Sequence, residues 1–284
     1  MKASNAGANS SREKNVSTRG HKPHGHASSR GGRPPTKPPL THFLSLPIGH
    51  HPLLRDSISS FTDGLLNASP RIPGLDQSIV IPPRRLHFTL GVMSLTDAVD
   101  NSNDDTTHSE AKTLPEALSL LSTLKPRIIE MMQGDSIFAP LNLMNIMKPD
   151  DGNPDNAHVL WLGPSFDTEA AQRLRRVGEL VFKTFSDAGF IVDRRPLKLH
   201  CTLLNTSHRR PRPRGARQPF SYKALLTSRV DQTMIQQPSE QFDYRHPVKV
   251  DFGSWEVSEI QICKMGSYGP EGEYVSCGGC SLVP

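Results

Sequence analysis

Two tetrapeptides in this chain, His87-Phe88-Thr89-Leu90 and His200-Cys201-Thr202-Leu203, share the pattern His-x-Thr-Leu. Each follows a short basic run, Arg84-Arg85-Leu86 before the first and Lys198-Leu199 before the second. Successive side chains of a β-strand point to opposite faces, so a histidine and a threonine two apart share one face. Two such strands would bring two imidazoles and two hydroxyls to one cleft. A neutral imidazole accepts a proton near physiological pH and a protonated one donates. Threonine hydroxyls donate hydrogen bonds to non-bridging phosphate oxygens, where charge builds in the transition state. This set suits cleavage of a phosphodiester or opening of a 2′,3′-cyclic phosphate, and it needs no metal and no cofactor. Phe88, Leu90, Cys201 and Leu203 alternate to the opposite face, where the core should lie. The alternative is two half-buried strands whose histidines are simply satisfied by hydrogen bonds.

The elements that must hold these residues follow from hydropathy patterning. Residues 1–40 are almost free of apolar side chains, cannot bury enough surface to offset their ordering entropy, and read as a disordered basic tail. Apolar alternation over 41–48 predicts a strand, and the spacing of Leu54, Ile58, Phe61 and Leu65 predicts a helix over 52–67. The first motif strand is expected over 86–93 and a polar, acidic loop over 101–110. A helix over 114–132 starts with Pro115 where proline is tolerated and is expected to kink at Pro126. The pattern then restarts, with strands over 136–147 and 158–162 and an amphipathic helix over 168–188 carrying Leu174, Val177, Val181 and Phe185 on one side. Gly189 sits at its expected C-terminal cap. The second motif strand is expected over 197–205. A short helix over 220–230 and strands over 248–252, 255–265 and 273–282 close the chain, the last two joined by a turn rich in Gly266, Gly269 and Gly272. The ordered part, residues 41–284, thus reads as one α+β domain in which a strand–helix–motif-strand plan occurs twice.

Composition bounds the function classes. The 284 residues carry a net charge of +5 and an isoelectric point near 9.1, which permits an anionic partner such as RNA or a nucleotide. The four cysteines, Cys201, Cys263, Cys277 and Cys280, are too few for a disulfide scaffold. Cys277-Gly-Gly-Cys280 has the spacing of half a zinc site, but no second pair completes four ligands, so no metal is expected. No run of eighteen apolar residues and no hydrophobic N-terminal region appear, so no membrane span and no secretory signal are expected. The basic, proline-rich stretch 207–218 reads either as a contact for a phosphate backbone or import receptor, or as a solvated loop.

With its flanks, the sequence resembles the two-histidine (2H) phosphoesterase superfamily, and within it the A-kinase-anchor-protein 2′-5′ RNA-ligase-like domain. The residues that carry this are Thr41-His42-Phe43-Leu44-Ser45-Leu46-Pro47-Ile48, the extended motifs Leu86–Met93 and Leu199–Thr206, and Asp251-Phe252-Gly253 with the following 255–263 stretch. The resemblance implies a bilobal α+β fold related by a pseudo-twofold, each lobe with an antiparallel sheet and helices, and an active-site groove between the lobes. It implies His87 and His200 as the catalytic acid/base pair and Thr89 and Thr202 as phosphate-binding residues. It implies an RNA end or nucleotide with a 2′,3′-cyclic or 2′-5′ linkage as substrate. Phe43, Tyr268 and Tyr274 are candidates to line the groove against a base, with core or surface roles as the alternative for each. Relatives place a KH-type RNA-binding domain ahead of this one, for which residues 1–40 are too short. A role as subunit of a nuclear transcription-coactivator or DNA-repair complex is the second implication. A monomeric domain, favouring the nucleus over the cytoplasm, is expected.

Overall fold

A computed structural model describes residues 38–96, 112–193, 195–228, 235 and 245–283. The expected polar loop over 101–110 and nearly all of the expected tail lie outside them. The chain order is β1 (His42–Pro47), α1 (Pro52–Leu66), β2 (His87–Met93), α2 (Leu114–Met132), β3 (Phe138–Pro140), β4 (Leu143–Ile146), β5 (Val159–Gly163), α3 (Glu169–Asp187), β6 (Cys201–Asn205), α4 (Tyr222–Thr227), β7 (Val248–Lys249), β8 (Ser254–Glu256), β9 (Glu259–Tyr268) and β10 (Tyr274–Ser281).

Local chemistry sets the helix ends. Thr113 and Glu116 form a reciprocal capping box at the start of α2, satisfying two otherwise orphaned donors. Thr168 accepts from the Ala171 N–H at the start of α3, and Gly189 just beyond its end takes φ 77°, a left-handed conformation that only glycine adopts freely. Pro126 removes a single hydrogen bond from the middle of α2, yet the helix runs unbroken from Leu114 to Met132. Leu121, Leu124 and Ile128 are buried on either side of the proline and hold the helix to the core.

Eight strands form one sheet in the order β10-β9-β1-β2-β6-β5-β4-β7, and β3 pairs with β8 in a small separate sheet. Every pairing between these strands is antiparallel. The large sheet is two half-sheets of four strands joined at their inner strands, β2 and β6, through a single registered pair, Phe88 with Cys201. Reading the order from either end exchanges β2 with β6 and β1 with β5, which is the duplicated plan expressed as topology. The correspondence extends to an irregularity. Along β1–β2, Leu44 pairs with Gly91 and Ser45 with Thr89, so Leu90 is extra. Along β5–β6, Leu160 pairs with Leu204 and Trp161 with Thr202, so Leu203 is extra. The leucine that closes each His-x-Thr-Leu motif is therefore the added residue of a β-bulge, a device that re-aims neighbouring side chains.

The core lies behind the motif face. Phe88, Cys201, Leu90 and Leu203 are buried there, as the alternation requires. α3 closes over them at Gly178, where an added Cβ would come within 3.4 Å of Leu90 and Leu199 side-chain carbons. Several expected strands are shorter than their patterns: 136–147 divides into β3 and β4, and 248–252 keeps only β7. β6 begins at Cys201 rather than 197, because Pro196 lacks a donor and the Lys198 carbonyl bonds a side chain instead of a neighbouring strand. The 255–265 run breaks between β8 and β9, where the Val257 N–H turns to the Ile137 carbonyl and the Ser258 carbonyl to the Leu282 N–H.

Candidate active site

The Phe88–Cys201 pair fixes what can meet across the seam. In an antiparallel pairing that register sets His87 opposite Thr202 and Thr89 opposite His200, all four on the face opposite Phe88 and Cys201. The four residues named from the sequence thus come to one surface, two from each half-sheet. All four are half-buried.

The same local device orients both imidazoles. His87 Nδ1 lies 2.6 Å from the Arg85 carbonyl, and His200 Nδ1 lies 2.7 Å from the Lys198 carbonyl. A carbonyl only accepts, so Nδ1 carries the hydrogen in each ring, and in the neutral form Nε2 keeps its lone pair. His87 Nε2 accepts from the Thr89 hydroxyl at 3.0 Å. His200 Nε2 and the Thr202 hydroxyl have no hydrogen-bond partner among the described residues. The basic residue two before each histidine also holds an aromatic ring: the Arg85 guanidinium sits 3.5 Å from the Tyr268 ring centre, and the Lys198 ammonium 4.2 Å from that of Trp161. The repeated unit is thus basic-Leu-His-x-Thr-Leu, longer than the tetrapeptide, and its basic first residue is the signal that would have marked Arg85 and Lys198 as site residues.

The surroundings of the two histidines differ. Phe43, Tyr274 and His87 form a triangle of rings with centres 4.9–5.2 Å apart, and Tyr268 stacks on Tyr274 at 5.6 Å. Phe43, Tyr268 and Tyr274 therefore gather beside His87, though Phe43 is a core residue at 5% exposure and Tyr268 a surface one at 43%. Burial is the main cause that pushes the His87 pKa down to about 4, with a smaller contribution from the charge on His200, and the Arg85 carbonyl opposes it. His200 is also pushed below the usual histidine value, first by burial and then by the Lys198 charge. The Cys201 thiol inside the second motif is pushed up to about 12 by burial, so it is inert as a nucleophile. A cavity of about 220 Å³ opens next to His87, lined among others by Ser45, Arg84, Arg85, Gln261 and Tyr274. Of the β9 and β10 residues in this wall, Tyr274 was named from the sequence as a candidate, whereas Glu259, Gln261 and Cys263 were not singled out for the site, because they are remote in sequence from both motifs. Among the described residues no three His, Cys, Asp or Glu side chains gather as a metal site, and no helix is long and apolar enough to cross a membrane.

Two half-sheets that each deliver one histidine–threonine pair to a shared face define a duplicated α+β fold with a composite site. The model of the AKAP7 2′5′ RNA ligase-like domain matches residues 40–282, and the chain belongs to that family. Activating signal cointegrator 1 complex subunit 1 of the mouse is 26% identical over 246 residues, covering 84% of this chain and 62% of that protein. The chain thus spans about three-fifths of the length of that relative. Among solved structures, LigT of E. coli complexed with 3′-AMP is similar over 87% of this chain and 99% of its own, with a TM-score of 0.48 at 14% identity. TT0787 of Thermus thermophilus is similar over 86% of this chain and 98% of its own, with a TM-score of 0.46 at 15% identity.

Proposed function

We propose that this protein is a metal-independent phosphodiesterase that acts on RNA ends or nucleotides carrying 2′,3′-cyclic or 2′-5′ linkages. The observation that carries this reading is the register of the β2–β6 seam, with two imidazoles and two threonine hydroxyls on one face. In the step we infer, the phosphate lies between Thr89 and Thr202, whose hydroxyls donate to its non-bridging oxygens. His87, neutral and with its Nε2 lone pair free once Thr89 turns to the phosphate, takes the proton from an attacking water. The water oxygen bonds to phosphorus and the bond to one ribose oxygen breaks. That oxygen takes a proton from His200 Nε2–H, leaving a phosphomonoester and a free hydroxyl. The bound anion favours the imidazolium form of His200. Proton transfers and charge stabilisation come from these four side chains, so the step asks for no metal.

The test is hydrolysis of 2′,3′-cyclic nucleotides and short 2′-5′ and 3′-5′ oligonucleotides with and without EDTA. We expect EDTA to have no effect, and His87→Ala and His200→Ala each to lower turnover by about 10²- to 10⁴-fold. Full activity in the double variant would overturn the reading.

A second reading is favoured by one observation: the mouse relative is named as a subunit of a complex. On it, the chain is a catalytically silent nucleotide- or RNA-binding subunit of a nuclear coactivator or repair complex, with the basic stretches 1–40 and 207–218 as import signals. Binding without turnover across the same substrate panel selects it.

A further inference from the structure

The basic loop that follows β6 is not a free tail of charges. Arg209 points inward and is 7% exposed. Its guanidinium pairs with Asp76 and donates to the Gly74 carbonyl at 2.6 Å. The Arg210 N–H donates to Ser78 Oγ at 2.9 Å, and Arg217 reaches the Thr206 hydroxyl at 3.0 Å. Phe220 and Ala157 exchange both backbone hydrogen bonds at the far end. The loop is fastened at its start, at its end and through its buried arginine, so its exposed residues stand on a fixed base.

Three of those exposed residues are Arg210, Arg212 and Arg214. Among the described residues, no carboxylate lies within ion-pair distance of any of them. The arginines of α3 make the contrast, because Arg173, Arg175 and Arg176 each pair with an acid. The unpaired set is continuous with the site. The Arg210 N–H bonds Ser78 and the Ile81 N–H bonds the Leu203 carbonyl, so the loop and β6 are both tied to the stretch that leads to Arg85, and burial first, then the charges of Arg85 and Arg210, hold the His208 pKa down. Arg85 in turn lines the cavity next to His87. Arg85 and Arg210 are thus two cations at opposite ends of the 78–85 stretch, and a bound polyanion would relieve the repulsion between their charges.

We propose that the protein takes a single-stranded RNA rather than a lone nucleotide, the phosphates on one side of the reacting one running over Arg85 and His208 onto Arg210, Arg212 and Arg214. This rests on the catalytic reading for the position of the reacting phosphate, and it adds the substrate class and the surface over which the strand runs. A mononucleotide would leave the loop arginines uncontacted. Spacing within the loop favours a strand as well, because arginines at every second position, Arg210, Arg212 and Arg214, present repeated cations along one exposed segment.

The experiment is fluorescence anisotropy with a labelled twelve-nucleotide oligouridine and with the dinucleotide UpU, using the full chain and its R210Q/R212Q/R214Q variant. Single-stranded binding loses about 0.7 in log–log salt slope per phosphate contact removed, so the variant's slope should fall by about 2. Between 50 and 200 mM salt the wild type should therefore weaken about 16-fold more than the variant. It should also bind the twelve-mer at least about tenfold tighter than UpU at 50 mM salt, an advantage the variant loses. Equal twelve-mer affinity and slope in the two proteins would overturn the proposal. So would displacement of the RNA by an equimolar twelve-residue oligoglutamate, which would mark the loop as a surface for an acidic protein segment. Anisotropy reads binding without turnover. A protein that binds RNA in this way but hydrolyses nothing therefore sinks the catalytic reading and supports this one.

Discussion

The two imidazoles share an orienting device but not an environment, and their expected division of labour comes from that difference. His87 stands among the Phe43 and Tyr274 rings with its Nδ1–H committed to a carbonyl, so it is neutral above a pH of about 4. A general base must be neutral, so its activity should rise with pH through that value. His200 must be protonated to act as the acid, and its pKa lies below the usual histidine value. Its activity is therefore lost as pH climbs toward 6.5. The kcat/KM profile, which reports the free protein, should be a bell with both limbs on the acid side of neutrality. Phe43→Ala admits water to one face of His87 and relieves its desolvation, so the low-pH limb should move toward 6.5 while the other limb stays. A limb that does not move in that variant would remove His87 from the base role. Thr202→Val keeps shape and deletes a hydroxyl that has no partner among the described residues. It should cost about 10²- to 10³-fold in kcat, in line with losing one donor to developing negative charge.

At the scale of elements, the alternation of each motif was enough to predict which face meets solvent and which meets the core, and the helices over 114–132 and 168–188 lie almost where their spacing puts them. The bulges were not legible. An added residue at Leu90 or Leu203 makes the inside–outside alternation slip just past it, with Gly91 and Val92 both half-buried and Leu203 and Leu204 both buried, but which residue is the extra one shows only against the partner strand. The ring cluster at His87 was equally hidden as a cluster, because Phe43, Tyr268 and Tyr274 meet only through the lateral order β10-β9-β1-β2. The basic loop read as uniform charge, since nothing in a run of arginines says that Arg209 alone turns inward to Asp76. The bulges also yield an expectation. Leu203 is fully buried behind β6, and Leu203→Ala should destabilise by about 2–5 kcal/mol in denaturant unfolding. Val192→Ala, at 72% exposure, should change stability by less than about 0.5 kcal/mol. Equal costs for the two would mean that the added leucine carries no packing and that the bulge is held by the backbone alone.

For the whole molecule, the titrating groups share a direction that sets when the fold is most stable. His50, His87, His158, His200 and His208 all have pKa values pushed below the ordinary value of 6.5, with burial the largest cause in each. Between that value and their folded ones, the unfolded chain binds protons that the folded chain refuses, so stability falls as pH drops through this window. For His87, whose folded value is about 4, the shift sets an upper bound of about 3 kcal/mol, reduced by the water that the open cavity next to it admits. Below that window the exposed carboxylates Glu116, Asp151 and Glu169 act in the same sense, because hydrogen bonds hold their pKa values down in the folded state. On the alkaline side Cys201, Cys263 and Cys280 are pushed up by burial, so the unfolded chain ionises first above about 9 and stability falls again. The melting temperature should therefore be a dome over pH, highest at about 7 to 8 and already lower at pH 5, where most carboxylates are still ionised. His87→Asn removes a large share of the acid-side slope and should flatten the dome between pH 6.5 and about 4. Inorganic phosphate should flatten it too, because an anion on the shared face stabilises the imidazolium forms that burial disfavours. A melting curve series in which phosphate raises the melting temperature equally at pH 5 and pH 8 would break the link between the histidine pair and the anion. It would also separate the site that binds phosphate from the face that β2 and β6 build together.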